Sequence, residues 1–181
     1  MPSRPHYTVP ARTAHWLMAA LMLAAFPLGV YMHELPLSPL KLQLISYHKW
    51  LGVAVLLLIL PRLVVRLAHT PPVPLPAPTW QQKTARATHL LLYALMIAVP
   101  VTGWLMSSAK GFPVVFLGVL PLPDLVGKNK ELGELFRAAH EFLNYTLLGL
   151  VGLHVAAALK HHFIDRDRTL SRMLPVLERV R

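Results

Sequence analysis

Residues 138–163 read AAHEFLNYTLLGLVGLHVAAALKHHF, and this stretch decides the fold. From Phe142 to Leu159 it contains no Asp, Glu, Lys or Arg. An α-helix rises 1.5 Å per residue, so about 20 mostly apolar residues cross the hydrocarbon core of a bilayer. The stretch therefore predicts a membrane-spanning helix, which we place from about Glu134 to Phe163.

Two histidines of this helix are candidates for function, because ionisable side chains inside a membrane span are costly to bury. His140 and His154 are fourteen residues apart. At 100° per residue they return to within about 40° of the same face, and they are separated by about 21 Å along the axis. One helix thus offers two imidazoles on one side, one near each edge of the membrane, which is the spacing that two stacked haems would need.

Three further spans precede this helix, and each is predominantly apolar. The second span contains Lys49 and Arg62, whose long side chains can reach the two interfaces. With the first span, the four predict an all-α, integral membrane four-helix bundle that forms a single domain over residues 1–181. The predicted spans are about 14–32, 42–67, 87–109 and 134–163.

Composition agrees with a membrane protein and excludes several other classes. The chain is 55% hydrophobic and only 14% charged, too apolar for an ordinary soluble domain. It has no cysteine, which excludes disulfides, iron–sulfur clusters and the covalent attachment of c-type haem. The formal charge of +10 does not indicate nucleic acid, because the charges lie between apolar runs and not on one folded soluble surface.

The distribution of basic residues predicts the orientation. Twelve Lys and Arg residues lie on the side of the two termini and six on the opposite side. Because cytoplasmic segments are enriched in Lys and Arg, both termini are expected in the cytoplasm of a bacterial inner membrane. The inner connection is rich in proline and reads as a stiff linker, whereas the apolar outer connection, residues 111–133, is expected to cover the bundle as a lid.

A b-type haem that transfers electrons needs a second axial ligand at the same depth on another helix. His48 enters the second span from outside and can pair with His140. His15 begins the first span from inside and can pair with His154. His89 lies three residues after an arginine, as His15 does, so depth leaves both as alternatives for the inner ligand.

Other residues of the fourth helix carry less specific signals. His161 lies seven residues after His154 on nearly the same face, so it is either part of a basic flank at the headgroups or a contact for a quinone near the inner site. Gly149 and Gly152 lie off the histidine stripe and are assigned to close helix packing.

Five segments together resemble the bacterial cytochrome b-561 family over about residues 10–175. The first three are AHWLMA at 14–19, YHKWLG at 47–52 and RATHLLLY at 86–93. The others are PVTGWLMSSAKGFPVVFLG at 100–118 and the stretch at 138–163 quoted above. The resemblance implies a four-helix cytochrome with two b haems, the inner one on His15 and His154 and the outer one on His48 and His140. It favours His15 over His89.

Within the family the chain resembles the superoxide oxidase branch, which implies an enzyme that takes an electron from superoxide outside and delivers it to ubiquinone. On this resemblance superoxide would approach the outer haem near Lys41, Lys49 and Lys110, and His161 would contact the quinone. The alternative is an electron-transfer subunit that links the quinone pool of the respiratory chain to a periplasmic redox protein. A third interpretation is a metal-transporting or purely structural membrane protein.

Overall fold

The computed structural model describes residues 6–69 and 71–180. Four long helices dominate it, and each is long and apolar enough to cross a membrane. They are α1 (Val9–Glu34), α2 (Pro39–Ala68), α3 (Thr79–Ala109) and α4 (Lys130–Phe163). The prediction of an all-α protein with four spanning helices is confirmed, and each predicted span lies inside one of these helices.

α2 and α4 begin before the predicted spans, and at each of these two starts a side chain caps the helix. Ser38 precedes α2, and its hydroxyl accepts a hydrogen bond from the Lys41 amide at 3.2 Å. Asn129 does the same for α4 through the Leu132 amide at 3.0 Å. Such caps satisfy amides that have no partner within the helix, so the helix begins there whether or not the next residues are apolar.

The helices pack in chain order, α1 on α2, α2 on α3 and α3 on α4. Met18, Ile59 and Met96 form a buried cluster between the first three helices. By contrast, α4 makes no comparably close backbone approach to α1 or α2 within the described residues. The space between α4 and these two helices is bridged by side chains, and the histidines lie there.

The outer connection folds against the ends of the bundle, as predicted, but it also contains a small hairpin that the sequence did not reveal. Its strands are β1 (Val115–Phe116) and β2 (Leu120–Pro121), paired antiparallel. The Trp50 indole donates to the Val115 carbonyl at 2.7 Å, and the Trp104 indole donates to the Pro123 carbonyl at 3.1 Å. These bonds fasten the connection to the outer ends of α2 and α3.

The segment after α4 turns back under the inner ends of the helices and closes with a 3₁₀ helix at Pro175–Val180. The indole of Trp16 on α1 donates to the Met173 carbonyl at 3.1 Å. Nearby, the Tyr7 amide donates to the Arg172 carbonyl at 3.2 Å. The C-terminal segment is therefore attached to the start of α1, an arrangement that the sequence did not predict.

Candidate functional site

The outer histidine pair lies between α2 and α4. The ring centroids of His48 and His140 are 6.2 Å apart, with an interplanar angle of 88°. A metal–imidazole bond is about 2 Å long and the ring centroid lies about 1 Å beyond the nitrogen, so two imidazoles on opposite sides of one metal have centroids about 6 Å apart. The observed separation is compatible with a shared iron.

Both outer rings are oriented by the same kind of hydrogen bond. His48 Nδ1 lies 3.0 Å from the Ala25 carbonyl oxygen, and His140 Nδ1 lies 2.9 Å from the Val99 carbonyl oxygen. A carbonyl can only accept, so each Nδ1 carries the proton and donates. Each Nε2 then keeps its lone pair, the tautomer that a metal-binding histidine needs.

A glycine lies one turn after each accepting carbonyl. A Cβ atom on Gly29 would come within 3.0 Å of His48 Cε1, and a Cβ atom on Gly103 within 3.0 Å of His140 Cε1. These two glycines therefore let the imidazoles lie directly on the backbones of α1 and α3. The close packing assigned to Gly149 and Gly152 is wrong, because a Cβ at either position would meet no atom within 4 Å.

Replacing Gly103 with valine is expected to displace the His140 ring and to weaken haem binding at the outer pair roughly 10- to 100-fold, the loss typical of disturbing the groups that orient a metal ligand. The haem content of purified protein would measure this. Gly149→Val is the matched control, since it places the same side chain in open space. Equal haem content in the two variants would contradict the packing role of Gly103.

A partly open pocket adjoins the outer pair. His48 and His140 both line it, together with Gly52, Trp104 and mostly apolar side chains from α2 and α3. A mostly apolar lining with a few polar groups is typical of cofactor sites. The residues present at the outer pair thus fit an apolar macrocycle held by two imidazoles.

The inner cluster contains three histidines, His15, His89 and His154, which the sequence placed at similar depths in the membrane. The ring centroids of His15 and His154 are 6.3 Å apart, close to the outer value, whereas those of His89 and His154 are only 5.3 Å apart. His15 is half-buried and His89 is exposed. The spacing therefore fits His15 better than His89 as the partner of His154.

Arg62 reaches the inner cluster from α2. Its guanidinium Nη2 lies 3.0 Å from His15 Nδ1, and its Nε donates to the Tyr93 hydroxyl at 3.2 Å. Because a guanidinium can only donate, His15 Nδ1 accepts in this arrangement and the proton of the neutral ring is on Nε2. This is the opposite tautomer from the outer histidines. The sequence predicted that the Arg62 side chain reaches the membrane interface, and it did not reveal the contact with His15.

His161 lies at the inner end of α4 beside two carboxylates of the C-terminal segment. Its Nδ1 is 2.6 Å from Asp167 Oδ2 and 3.2 Å from Asp165 Oδ2. Burial raises the pKa of Asp167, but hydrogen bonds from Thr169 and His161 outweigh it and leave the pKa below its usual value. An ionised Asp167 therefore orients the His161 ring with its Nδ1–H toward the carboxylate.

The three outer lysines each contact protein groups. Lys41 donates to the carbonyls of His33 and Leu35 at the end of α1. Lys49 donates to two carbonyls of the outer connection at 3.1 and 3.3 Å. Lys110 forms a salt bridge with Glu134 at 2.8 Å. Lys41 and Lys49 thus use neutral acceptors, whereas the charge of Lys110 is paired.

Comparison with known proteins identifies the family. The family described as prokaryotic cytochrome b561 matches residues 6–176. Cytochrome b561 homolog 2 of Escherichia coli K12 is 32% identical over 93% of this chain and 90% of its own. Cytochrome b561 homolog 1 of the same strain is 32% identical over 89% and 92%, and a probable superoxide oxidase of Yersinia pestis is 31% identical over 89% and 91%. The chain belongs to the prokaryotic cytochrome b561 family, and is thus a bacterial multi-pass membrane protein of electron transfer whose family cofactor is b-type haem.

Proposed function

We propose that the protein is a di-haem cytochrome that moves electrons inward across the bacterial inner membrane, from superoxide to ubiquinone. The observation that carries the proposal is the pair of imidazole clusters at the two ends of α4, with ring centroids 6.2 Å apart at one end and 6.3 Å at the other. His48 and His140 would hold the outer haem, and His15 and His154 the inner one. The excess of Lys and Arg on the side of the termini supports a cytoplasmic location for both.

The reaction balances as two one-electron oxidations and one two-electron reduction. Two superoxide anions each lose one electron and leave as dioxygen, and ubiquinone takes the two electrons together with two protons to become ubiquinol. The haems supply one-electron carriers between the two faces. The chain's own residues must attract the anion outside and deliver protons inside.

The outer lysines provide the attraction in this proposal. Lys41 forms no ion pair with a described carboxylate, so its charge remains available to an approaching anion. Lys49 donates to two backbone carbonyls, and the nearby charge of Asp124 offsets part of its own. A positive potential of this kind raises the association rate and is weakened by salt. Lys110 contributes less to this positive potential, because Glu134 neutralises its charge in a salt bridge.

His161 provides the proton in this proposal. Its Nδ1–H is held by Asp167 at 2.6 Å, so the carboxylate fixes the orientation of the ring. When both ring nitrogens carry a proton, Nε2–H can donate to an oxygen of a quinone at the inner face, and Asp167 keeps the ring in the orientation that this transfer needs.

Stopped-flow mixing of the oxidised protein with superoxide tests the proposal. We expect haem reduction at about 10⁸ M⁻¹s⁻¹ or faster at low ionic strength, falling steeply as salt is added. Lys41→Gln should slow this step, while the exposed, inner-side Lys83→Gln should not. A slow reduction that does not depend on salt would contradict superoxide as the physiological donor.

The second candidate is an electron-transfer subunit that exchanges electrons with a periplasmic protein. It is favoured by the apolar tip of the outer hairpin, where Leu117 is 58% exposed and Val119 is 81% exposed. Exposed apolar patches of this kind mark interaction surfaces. Slow reaction with superoxide in the experiment above, with both haems still reducible by quinol, would favour this candidate.

A further inference from the structure

Arg62 occupies an unusual place for a permanently charged side chain. It lies within α2, is only partly exposed, and faces the inner histidine cluster. Its guanidinium contacts His15 Nδ1 at 3.0 Å and the Tyr93 hydroxyl at 3.2 Å, and its Cζ lies 5.4 Å from the centre of the Tyr93 ring. All of these partners are neutral groups, although Arg keeps its charge at every physiological pH.

No carboxylate in the described part of the chain forms an ion pair with Arg62. The chain has eight Asp and Glu residues, and all of them lie in the described part of the structure. Five belong to the outer half of the molecule. The three inner ones contact other groups: Asp165 pairs with Lys160, Asp167 with His161, and Glu178 with His6. A partly buried charge without a counterion is costly, so this position favours an anion from another molecule.

The contact between Arg62 and His15 also conflicts with iron ligation through Nε2. A neutral imidazole that binds a metal through Nε2 carries its proton on Nδ1, as His48 and His140 do at the outer site. The guanidinium cannot donate to an Nδ1 that is itself protonated. If His15 binds iron, Arg62 must direct its hydrogen bonds to a different acceptor close by.

We propose that this acceptor is a propionate carboxylate of the inner haem, so that Arg62 is a positioning residue for that cofactor. The inference rests on the haem-binding part of the proposed function and not on the choice of donor or acceptor. Haem b carries two carboxylates, and the fork of a guanidinium matches a carboxylate with two parallel hydrogen bonds. Tyr93, which already contacts Arg62, holds the guanidinium in place for this role.

The pairing also sets a direction for the haem potential. A positive charge beside a haem favours the reduced iron, which carries one positive charge less, and the effect is strong where water is excluded. Arg62 therefore raises the reduction potential of the inner haem and leaves the outer one unaffected. An inner haem that accepts electrons more readily suits the inward transfer proposed above.

Potentiometric titration of the purified, haem-loaded protein tests the inference. In Arg62→Gln we expect the equilibrium constant for reduction of the inner haem to fall at least tenfold, which is about 59 mV for a one-electron couple. The outer haem is the internal reference and should not move. Lys83→Gln, an exposed residue near the start of α3, is the control and should leave both potentials unchanged. An unchanged inner potential in Arg62→Gln, or an equal shift of both haems, would overturn the inference.

A second measurement keeps the protein unmutated and changes the cofactor. Reconstituting the apoprotein with the dimethyl ester of haem b removes the carboxylate charge and leaves the iron and its ligands unchanged. We expect the inner site of the unmutated protein to bind the ester at least tenfold more weakly than haem b, and this preference to be lost in Arg62→Gln, because the charge that recognises the carboxylate is gone. An equal preference for haem b over its ester in the unmutated protein and in Arg62→Gln would overturn the pairing. Neither experiment uses superoxide or quinone, so failure of the donor and acceptor assignments would not affect the outcome.

Discussion

Replacing His140 with alanine is expected to leave the purified protein with one b-type haem per chain in place of two. The reason is geometric: His140 and His48 face each other across one cavity, and loss of either ring leaves the iron with a single protein ligand. His48→Ala should therefore give the same product. Haem extraction together with protein quantification measures the ratio, and the spectrum of the remaining haem should stay low-spin.

The matched control is His33→Ala, which removes an exposed imidazole at the outer end of α1 and should keep both haems. Two results would contradict the assignment of the outer pair. One is a His140→Ala protein that retains both haems. The other is a protein in which His140→Ala and His48→Ala remove different haems, because partners on one iron must act together.

Replacing His15 is expected to remove the inner haem, whereas replacing His89 is expected to spare it. The centroid separation of His15 and His154 matches the value for two imidazoles on one metal, while the 5.3 Å separation of His89 and His154 is too short. Haem content and the low-spin spectrum of His15→Ala and His89→Ala would measure the difference. Retention of two haems in His15→Ala together with loss of one in His89→Ala would assign the inner ligand to His89.

The four helices and the shared face of His140 and His154 could be predicted from the sequence, because each depends only on residues close together in the chain. Four apolar runs define four helices whatever their neighbours are, and the fourteen-residue spacing on α4 puts His140 and His154 on one face. Depth along each span then limited the partners to His48 outside and to His15 or His89 inside. The identity of these residues as haem ligands stays a prediction.

The choice between His15 and His89 illustrates where local reasoning ends. Both lie three residues after an arginine, so their depths are equivalent. The difference lies in which helix faces α4 and at what distance, and this depends on how the four helices pack. Only the three-dimensional structure shows that the ring centroid of His154 lies 6.3 Å from that of His15 and 5.3 Å from that of His89.

The glycines show the same limit. Gly149 and Gly152 are small residues on the helix that carries two histidines, yet a Cβ at either position would meet no described atom within 4 Å. Gly29 and Gly103 lie on the neighbouring helices and contact the rings of His48 and His140. Whether a glycine allows close packing depends on the group that lies against it, and that group comes from another part of the chain.

The end segments were missed for a different reason. The strands of the outer hairpin have two residues each, too few for any periodic pattern, and its turn uses Leu117 and Gly118 with positive φ values. The C-terminal segment is held by single hydrogen bonds to α1, such as that from Trp16 to Met173. Contacts of this kind leave no regular spacing in the sequence.

The haem content of the unmutated, full-length protein tests the central claim most directly. We predict two b-type haems per chain, both low-spin in the reduced spectrum because each iron would have two imidazole ligands. A purified, folded protein that binds one haem or none when haem is supplied in excess would contradict the account.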